Sequence, residues 1–402
     1  METQIIRENL AGAAEIIRRG GLVGVPTETV YGLAGNGLDE QAVRQIYEVK
    51  GRPEVKPLAL MVPDAGEIDR YCLEVPAAAK ALAEKFWPGP LSIVLKAKTD
   101  TVPDIVRAGG ETVSLRCPDH AMTLKALRLS GLPFAAPSAN PSGSPSPKTA
   151  EEVFAYFNGQ IDAVIDGGPC GLGRESTILD MSRTPYRILR QGALPAEEIE
   201  AALRDSLQLI GITGPSGSGK TSALGVLERE GALVLDCDAV YHELLAHDRA
   251  LLDALQARWP DAFEGQSLDR RKLAQIVFSD PEALHQLNEI THHFISREIE
   301  RRLTDFALNG GRIAALDAIE LISSGLGAVC DCVIGVLAEP ETRLSRIVER
   351  DGISREAALL RIQAQKDDQY FIDSCDRVVY NNGSAAEFEQ TFMNTLEEIR
   401  NG

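Results

Sequence analysis

The sequence predicts an α/β protein of two domains, on three observations. At 402 residues the chain is longer than one ordinary hydrophobic core accommodates. Short apolar runs alternate with amphipathic runs along most of it, the pattern of sheets covered by helices. The segment Gly214–Thr221 reads GPSGSGKT, a phosphate-loop motif. That motif ordinarily opens a domain, yet about two hundred residues precede it, and they require a domain of their own. The expected division is 1–205 and 206–402.

Composition narrows the functional class. A hydrophobic fraction of 44% with 25% charged residues is that of a globular protein. No run approaches twenty apolar residues, so no membrane span is expected. The start, METQIIRENL, lacks a signal-peptide core. Seven cysteines are scattered, and Cys330 and Cys332 lack zinc spacing. Reduced thiols in the cytoplasm follow as the expectation. A net charge of −18 excludes a general nucleic-acid binder. Any anion site must therefore be a compact cluster rather than a broad basic face.

In the first half, 8–19 carries apolar residues at helical spacing and Gly20-Gly21 stops it. Leu22–Val25 reads as a strand, followed by PTETVYGLAGNG (26–37) and a helix to about Val49. KGRPEVKPLALMV (50–62) gathers Lys50, Arg52 and Lys56 between prolines. Such a cluster is either solvated surface charge or an anion site. Strands follow in 87–97 and 112–120, the second with Arg116 near its end. APSANPSGSPSP (136–147) has the composition of a linker. Apolar segments on both sides make it an ordered loop instead, with hydroxyls and amides free to hold a ligand. Strands at 161–168 and 175–180, the segment ILRQGALP (188–195) and a helical run from Ala196 close the domain.

The set PTETVYGL, KGRPEVKPL, SLRCPDH, PSANPSG, ESTILD and ILRQGA, in this order, resembles the threonylcarbamoyl-AMP synthase family over about residues 1–205. The resemblance implies a twisted α/β sheet around a concave, positively charged cleft. It implies the joining of L-threonine, bicarbonate and ATP into L-threonylcarbamoyl-AMP and pyrophosphate, with tRNA-modification proteins taking the product. That chemistry needs no covalent enzyme nucleophile, so positioning and charge neutralisation dominate. By the same resemblance Thr29, Arg116 and Ser176 hold threonine. Lys50, Arg52, Lys56, Ser138 and Arg190 hold the nucleotide, with Thr112 and Ser146 beside them. Met61 stands where many relatives have His, which removes one polar contact to the amino acid. The additional C-terminal domain of longer relatives has no counterpart here; the phosphate-loop domain follows instead.

In the second half an apolar run, 207–212, leads into the phosphate loop and a helical run, 221–230, leaves it. The glycines Gly214, Gly217 and Gly219 let backbone N–H groups converge on an anion, and the helix start adds its positive end. Ser218 and Ser222 belong to the same nucleotide-binding stretch. Lys220 reaches the β- and γ-phosphates, and Thr221 offers its hydroxyl to Mg²⁺. A strand near 231–236 ends in Asp236 and Asp238. Each carboxylate either caps a helix or serves metal and acceptor hydroxyl. Leu268–Ile295 is helical with a break at 279–281, and Arg312–Leu321 is a strand with Asp317 near its end. Cys330–Ala338 is another strand, 341–366 is Arg-rich helix around an Asp351-Gly352 turn, and 376–384 is a last strand and turn. The alternation predicts a parallel sheet flanked by helices.

GITGPSGSGKT, LDCDAV, LDRRKLAQIVFSDPEAL, LNEITHHFI, ERDGISREAALLRIQAQ and NNGS resemble dephospho-CoA kinase over 207–402. The resemblance implies transfer of the γ-phosphate of ATP to the 3′-hydroxyl of dephospho-CoA. Asp238 then orients that hydroxyl, Lys220 with Mg²⁺ neutralises the transferring group, and Arg350 closes as a lid. Arg350 as a surface ion pair is the alternative. His292 either touches the acceptor phosphate or packs on its helix. The chain departs from the family in AIELISSG (318–325), in His293 after His292, and in KDDQYF (366–371), all on the acceptor side. Two other readings stand beside a bifunctional enzyme. One joins an active synthase to a kinase of other specificity or a degenerate nucleotide-binding domain. The other makes the first half a non-catalytic RNA-binding module, which the acidic total opposes.

Overall fold

The computed structural model describes residues 2–318, 321–322 and 325–401. The chain divides into two compact units, Met1–Ser206 with Leu308–Gly310, and Leu207–Ala307 with Gly311–Gly402. Ile319, Glu320, Ser323 and Ser324, the middle of the AIELISSG departure, lie outside the described residues.

The first unit is a mixed sheet covered by helices. Its strands are β1 (Gln4–Ile6), β2 (Val23–Val25), β3 (Gly32–Asn36), β4 (Ala59–Met61), β5 (Leu91–Lys96), β6 (Thr112–Arg116), β7 (Phe134–Ala135), β8 (Ala163–Ile165), β9 (Thr177–Asp180) and β10 (Arg187–Arg190). They lie in the order β1-β8-β2-β3-β7-β4-β6-β5-β9-β10. β6 is parallel to β4 and antiparallel to β5, and β5 is parallel to β9. The helix Leu10–Arg18 begins where the Asn9 side chain accepts from Gly12 N, and it buries Leu10, Ala13, Ala14 and Ile17, one stripe of a 3.6-residue period. Asp39 caps the helix Glu40–Lys50, which stops at Gly51 in the left-handed region. That stop leaves Lys50 on the last helical turn. β6 runs through the middle of the sheet, so Arg116 at its end is walled on both sides.

The second unit carries β11 (Gln208–Thr213), β12 (Leu233–Asp236), a small ribbon of β13 (Phe263–Glu264) and β14 (Ser267–Leu268), then β15 (Ile313–Asp317), β16 (Cys332–Leu337) and β17 (Arg377–Tyr380). The main sheet has the order β12-β15-β11-β16-β17, with every pair parallel. Ile210, Ile212, Ile334 and Val336 pack there against Leu224, Leu227, Phe388 and Phe392 from two helices. A second cluster of Val240, Leu244, Leu255, Trp259, Leu273 and Val277 joins the helices before and after the ribbon. The long helical stretch breaks as its Ser-Asp-Pro sequence dictates, into Arg270–Ser279 and Pro281–Leu308. Among the described residues no helix is long and apolar enough to cross a membrane.

One glycine fixes the turn behind the first unit's cleft. A Cβ at Gly192 would meet Glu175 O at 2.3 Å and Ser176 C at 2.3 Å, and Gly192 N donates to the buried Thr177 Oγ1 at 2.9 Å. Gly192→Ala is expected to lower stability by about 1–3 kcal/mol through overpacking, read as a drop in the midpoint of thermal unfolding. An unchanged midpoint would show that the strand pair yields without cost.

Candidate functional site

In the first unit a cavity of about 190 Å³ is lined by Arg52, Arg116, Ser138, Ser176 and Arg190, together with Met61, Ser92, Ser114 and Glu175. Arg116 is 6% exposed. Its Nη2 donates to Glu28 Oε1 at 2.7 Å and to Thr29 Oγ1 at 2.8 Å, and its Nε donates to Gly89 O at 3.3 Å. Glu28 Oε2 accepts in turn from Asp119 N at 3.0 Å, and the Thr27 and Thr29 hydroxyls are 2.8 Å apart. The PTET turn thus supplies both the counter-ion and a hydroxyl to one guanidinium.

Along the neighbouring strands of the sheet, the Ser176 hydroxyl bonds Ser92 Oγ at 2.8 Å. Arg190 donates to Ser176 O through Nε at 3.0 Å and through Nη2 at 2.8 Å, and to Ser176 Oγ at 3.1 Å. Ser146 Oγ donates to Glu175 Oε1 at 2.8 Å, and this bond holds the Glu175 carboxyl below its ordinary value. Lys50 is 4% exposed and donates to the carbonyls of Ser138 and Asn140. Burial, and then the charge of Arg52, push its ammonium down to about 7. Burial also lowers Arg52 and Arg190 from the usual guanidinium value. The loop 136–147 is ordered: Ser138 bridges Gly32, Ala139 N donates to Tyr31 O at 2.8 Å, and Tyr31 N donates to Pro147 O at 2.9 Å.

The structure therefore gathers Thr29, Lys50, Arg52, Arg116, Ser138, Ser146, Ser176 and Arg190 in or directly behind one cavity wall. Lys56 stands apart: its side chain is exposed, and its carbonyl accepts from Tyr47 Oη at 2.8 Å. Thr112 begins β6, and neither it nor Lys56 lines the cavity. Sequence reasoning missed Glu28, Ser92, Ser114 and Glu175. Glu28 and Glu175 adjoin Thr29 and Ser176 inside PTETVYGL and ESTILD, and that adjacency was the available signal.

In the second unit the phosphate loop leaves the C-terminal end of β11, the central strand, which has β15 on one side and β16 on the other. That is where open parallel sheets bind ligands. Gly214, Gly217 and Gly219 have φ of 146°, 79° and 104°, conformations that side chains resist. Neighbouring chain holds the loop in place. Asn381 Nδ2 donates to Ser218 O at 3.0 Å, Arg343 Nε to Ser216 O at 3.1 Å and Arg346 Nη1 to Ser218 O at 3.3 Å. Gln365 Oε1 accepts from Ser216 N at 3.1 Å.

Lys220 Nζ donates to Gly214 O at 2.7 Å. Burial lowers its pKa while Asp317 opposes the shift. Burial likewise raises Asp317, with Lys220 opposing and Asp236 and Asp238 adding. Asp236 caps the helix Cys237–His247 by accepting from Ala239 N at 2.9 Å. The side chain of Asp238, in the first turn of that helix, has no hydrogen-bond partner among the described residues, and burial, then Asp236, raise its pKa. Of the two carboxylates, Asp236 is the helix cap and Asp238 is not. Thr221 and Ser222 are exposed on the first turn of the helix Lys220–Arg229. Arg350 donates to both oxygens of Asp351, at 2.7 Å and 3.0 Å. It is therefore in its ion-paired form, although its charge still bears on Lys220. His292 and His293 are exposed on the helix Pro281–Leu308.

Among the described residues no group of His, Cys, Asp and Glu could hold a metal ion by itself. The donor set does fit a hard cation shared with phosphate: the Thr221 hydroxyl, and Asp317 facing Lys220.

Two family models match the chain. The Sua5/YciO/YrdC family, described as "Telomere recombination", covers residues 15–192, and dephospho-CoA kinase covers 208–387. Over 191 residues the chain is 48% identical to a threonylcarbamoyl-AMP synthase of Pyrococcus abyssi, covering 48% of this chain and 56% of that protein. It is 37% identical over 183 residues to a putative threonylcarbamoyl-AMP synthase of Methanocaldococcus jannaschii, covering 46% of this chain and 85% of that one. It is 35% identical over 192 residues to a dephospho-CoA kinase of Corynebacterium glutamicum, covering 47% of this chain and 98% of the kinase. The match to the Pyrococcus abyssi protein thus spans little more than half of that relative's length.

The Lys50 shift sets a pH signature. An unfolded lysine titrates near 10.5 and the folded one near 7. Between those values the unfolded chain binds more protons, so this group makes stability rise with pH. Wild-type protein is expected to gain thermal stability relative to Lys50→Met from about pH 7 to pH 10. The Lys50 side-chain carbon should titrate near pH 7 by NMR. A pH-independent difference between the two proteins would contradict the burial argument.

Proposed function

Because the chain belongs to the Sua5/YciO/YrdC family over its first half and to the dephospho-CoA kinase family over its second, we propose that it is a bifunctional enzyme with two ATP sites. The first unit makes L-threonylcarbamoyl-AMP from L-threonine, bicarbonate and ATP, and the product passes to tRNA-modification proteins. The second moves the γ-phosphate of ATP to the 3′-hydroxyl of dephospho-CoA. The seven free cysteines suit a reducing cytoplasm.

The observation that carries the first half is the cavity with Arg116, Arg52 and Arg190 on its walls. Arg116, with Thr29 beside it and Ser176 in the same cavity, receives the threonine carboxylate and hydroxyl. Arg52, Lys50, Ser138, Ser146 and Arg190 receive the phosphates, and Lys56 and Thr112 border the nucleotide from outside the cavity. The walls align the carbamate with the α-phosphorus and spread positive charge around the departing pyrophosphate. A polyanion beside Lys50 favours its protonated form, so ATP itself completes the charge of that subsite.

In the second half Gly214–Thr221, with Ser222, wraps the phosphates and Lys220 turns from Gly214 O to the β- and γ-oxygens. Asp238 accepts or orients the proton of the acceptor hydroxyl. Arg350 exchanges Asp351 for phosphate as the Arg-rich helices close, and His292 reaches the acceptor. Thr221 and Asp317 would hold Mg²⁺ with the nucleotide; when bound, it neutralises charge between β- and γ-phosphates. Neither a kinase of other specificity nor an RNA-binding first half draws support from a particular observation.

Point substitutions separate the two reactions. Arg52→Ala or Arg116→Ala should lower threonine- and bicarbonate-dependent pyrophosphate release by about 10²-fold or more, with phosphorylation of dephospho-CoA retained. Asp238→Asn should lower the second reaction by about 10²–10⁴-fold and spare the first. Purified protein that leaves dephospho-CoA unmodified would refute the kinase assignment, and full pyrophosphate release by Arg52→Ala would refute the role of that cluster.

A further inference from the structure

Ser114 lies in the middle of β6, two residues before Arg116. Alternate residues of a strand share a face, and both side chains line the cavity. The cross-strand neighbours of Ser114 are Ala59 on β4 and Val94 on β5, whose side chains can neither donate nor accept. The Ser114 Oγ is buried and has no hydrogen-bond partner among the described residues. Two other hydroxyls of the site are engaged with protein groups, Ser92 with Ser176 and Thr29 with Arg116. A buried hydroxyl left unpaired is a standing cost to the fold. Ser114 as a residue is only part-buried at the cavity wall, so rotation about its Cα–Cβ bond brings the hydroxyl into the cavity, and the cost is recovered when a ligand there supplies the acceptor.

Position along the strand says which part of the ligand. Arg116 is the end of β6 that receives an amino-acid carboxylate, and Thr112, at the other end, borders the nucleotide. Ser114 falls between them, about 7 Å from each along the strand. An α-amine lies two bonds from the carboxylate that Arg116 would grip, on the way towards the nucleotide. What forms there is the carbamate.

We infer that the Ser114 hydroxyl donates a hydrogen bond to the carbamate oxygen that does not attack phosphorus; this rests on the synthase reading of the first unit. The threonine amine, having lost its ammonium proton to solvent, bonds to the carbon of bicarbonate, and water leaves. The resulting carbamate anion then forms an O–P bond to the α-phosphorus as the bond to pyrophosphate breaks. Ser114 exchanges no proton in either step. It holds the carbamate plane so that the second oxygen faces the phosphorus. It acts on a group present in neither free threonine nor free ATP, so its effect belongs in turnover rather than in the binding of those two substrates.

The test is Ser114→Ala, followed through pyrophosphate release at varied threonine, bicarbonate and ATP. The expected result is a fall in kcat of about tenfold, with KM for threonine and for ATP within about twofold of wild type and a thermal midpoint equal to or above wild type. The midpoint carries the distinction, because removing an unsatisfied hydroxyl cannot cost stability through a lost bond. An unchanged kcat, a loss confined to KM for threonine or ATP, or a lowered midpoint would each overturn the inference. Wild-type protein that releases no pyrophosphate would overturn the synthase reading itself, and this inference with it.

Discussion

A guanidinium that is 6% exposed dictates much of the first unit's geometry. A buried cation must be paired and hydrogen-bonded or the fold does not hold it. Arg116 meets that demand with a carboxylate that is itself fixed, since Glu28 also accepts from the backbone of Asp119. The Thr29 hydroxyl completes the arrangement from the next position in the chain. Because Glu28 and Thr29 are consecutive, one turn anchors the charge and the polar wall together. Lys50 shows the opposite solution in the same unit. It meets only carbonyl oxygens, with no carboxylate to offset its burial, and its ammonium is correspondingly easy to deprotonate. Arg116 thus has its counter-ion within the protein, whereas Lys50 has carbonyl partners alone.

The second unit handles the same difficulty through backbone. Its phosphate loop has no side chain at the three positions where φ is positive, and added carbon would collide with fixed atoms. A Cβ at Gly214 would lie 2.2 Å from Val336 O, and one at Gly219 1.9 Å from Asn381 Nδ2. Asn381 follows β17, while Arg343 and Arg346 lie on the helix after β16, so chain far downstream holds the loop open. Lys220 and Asp317 temper each other's burial without forming a tight pair. Lys220 is thereby left on a backbone carbonyl, a partner that a phosphate oxygen replaces at little cost.

What the sequence made legible follows from how much of each feature is local. The phosphate loop is one continuous stretch whose glycines have a single backbone explanation, and its flanking strand and helix lie where periodicity puts them. The break at 279–281 was equally plain because proline enforces it. Strands β1, β3, β4 and β7 were not distinguished: they are short, and β3 holds two glycines in Gly32–Asn36, so alternation cannot show. The first cleft was read through a family resemblance rather than through spacing, because its residues come from separated strands. Glu28 and Ser114 escaped because their importance is relational. Glu28 matters through a guanidinium eighty-eight positions away, and Ser114 through having only Ala59 and Val94 directly across from it on β4 and β5. Lys56 shows the converse, since membership in a basic cluster did not place it in the cavity.

A net charge of −18 in a chain with three arginines on one cavity looks contradictory only if charge is summed over the whole surface. At physiological ionic strength exposed charges are screened beyond about 8 Å, so exposed carboxylates farther away than that weigh little at a buried site. What a bound nucleotide senses is the local set. Around the first cavity that set is Arg52, Arg116 and Arg190, with Lys50 behind Ser138; in the second unit it is Lys220 with the N–H groups of its loop. Both sets are substantially buried, where screening is weak and attraction is strong. Close to these sets Glu28 pairs with Arg116 and accepts from Asp119 N, Glu175 accepts from Ser146, and Asp317 is acted on by the charge of Lys220 with Asp236 and Asp238 nearby. A hydrogen-bonded carboxylate keeps its charge, so the first cavity stays positive by the balance of charges: Arg52, Arg116 and Arg190 line it against Glu175, with Lys50 behind Ser138 and Glu28 behind Arg116.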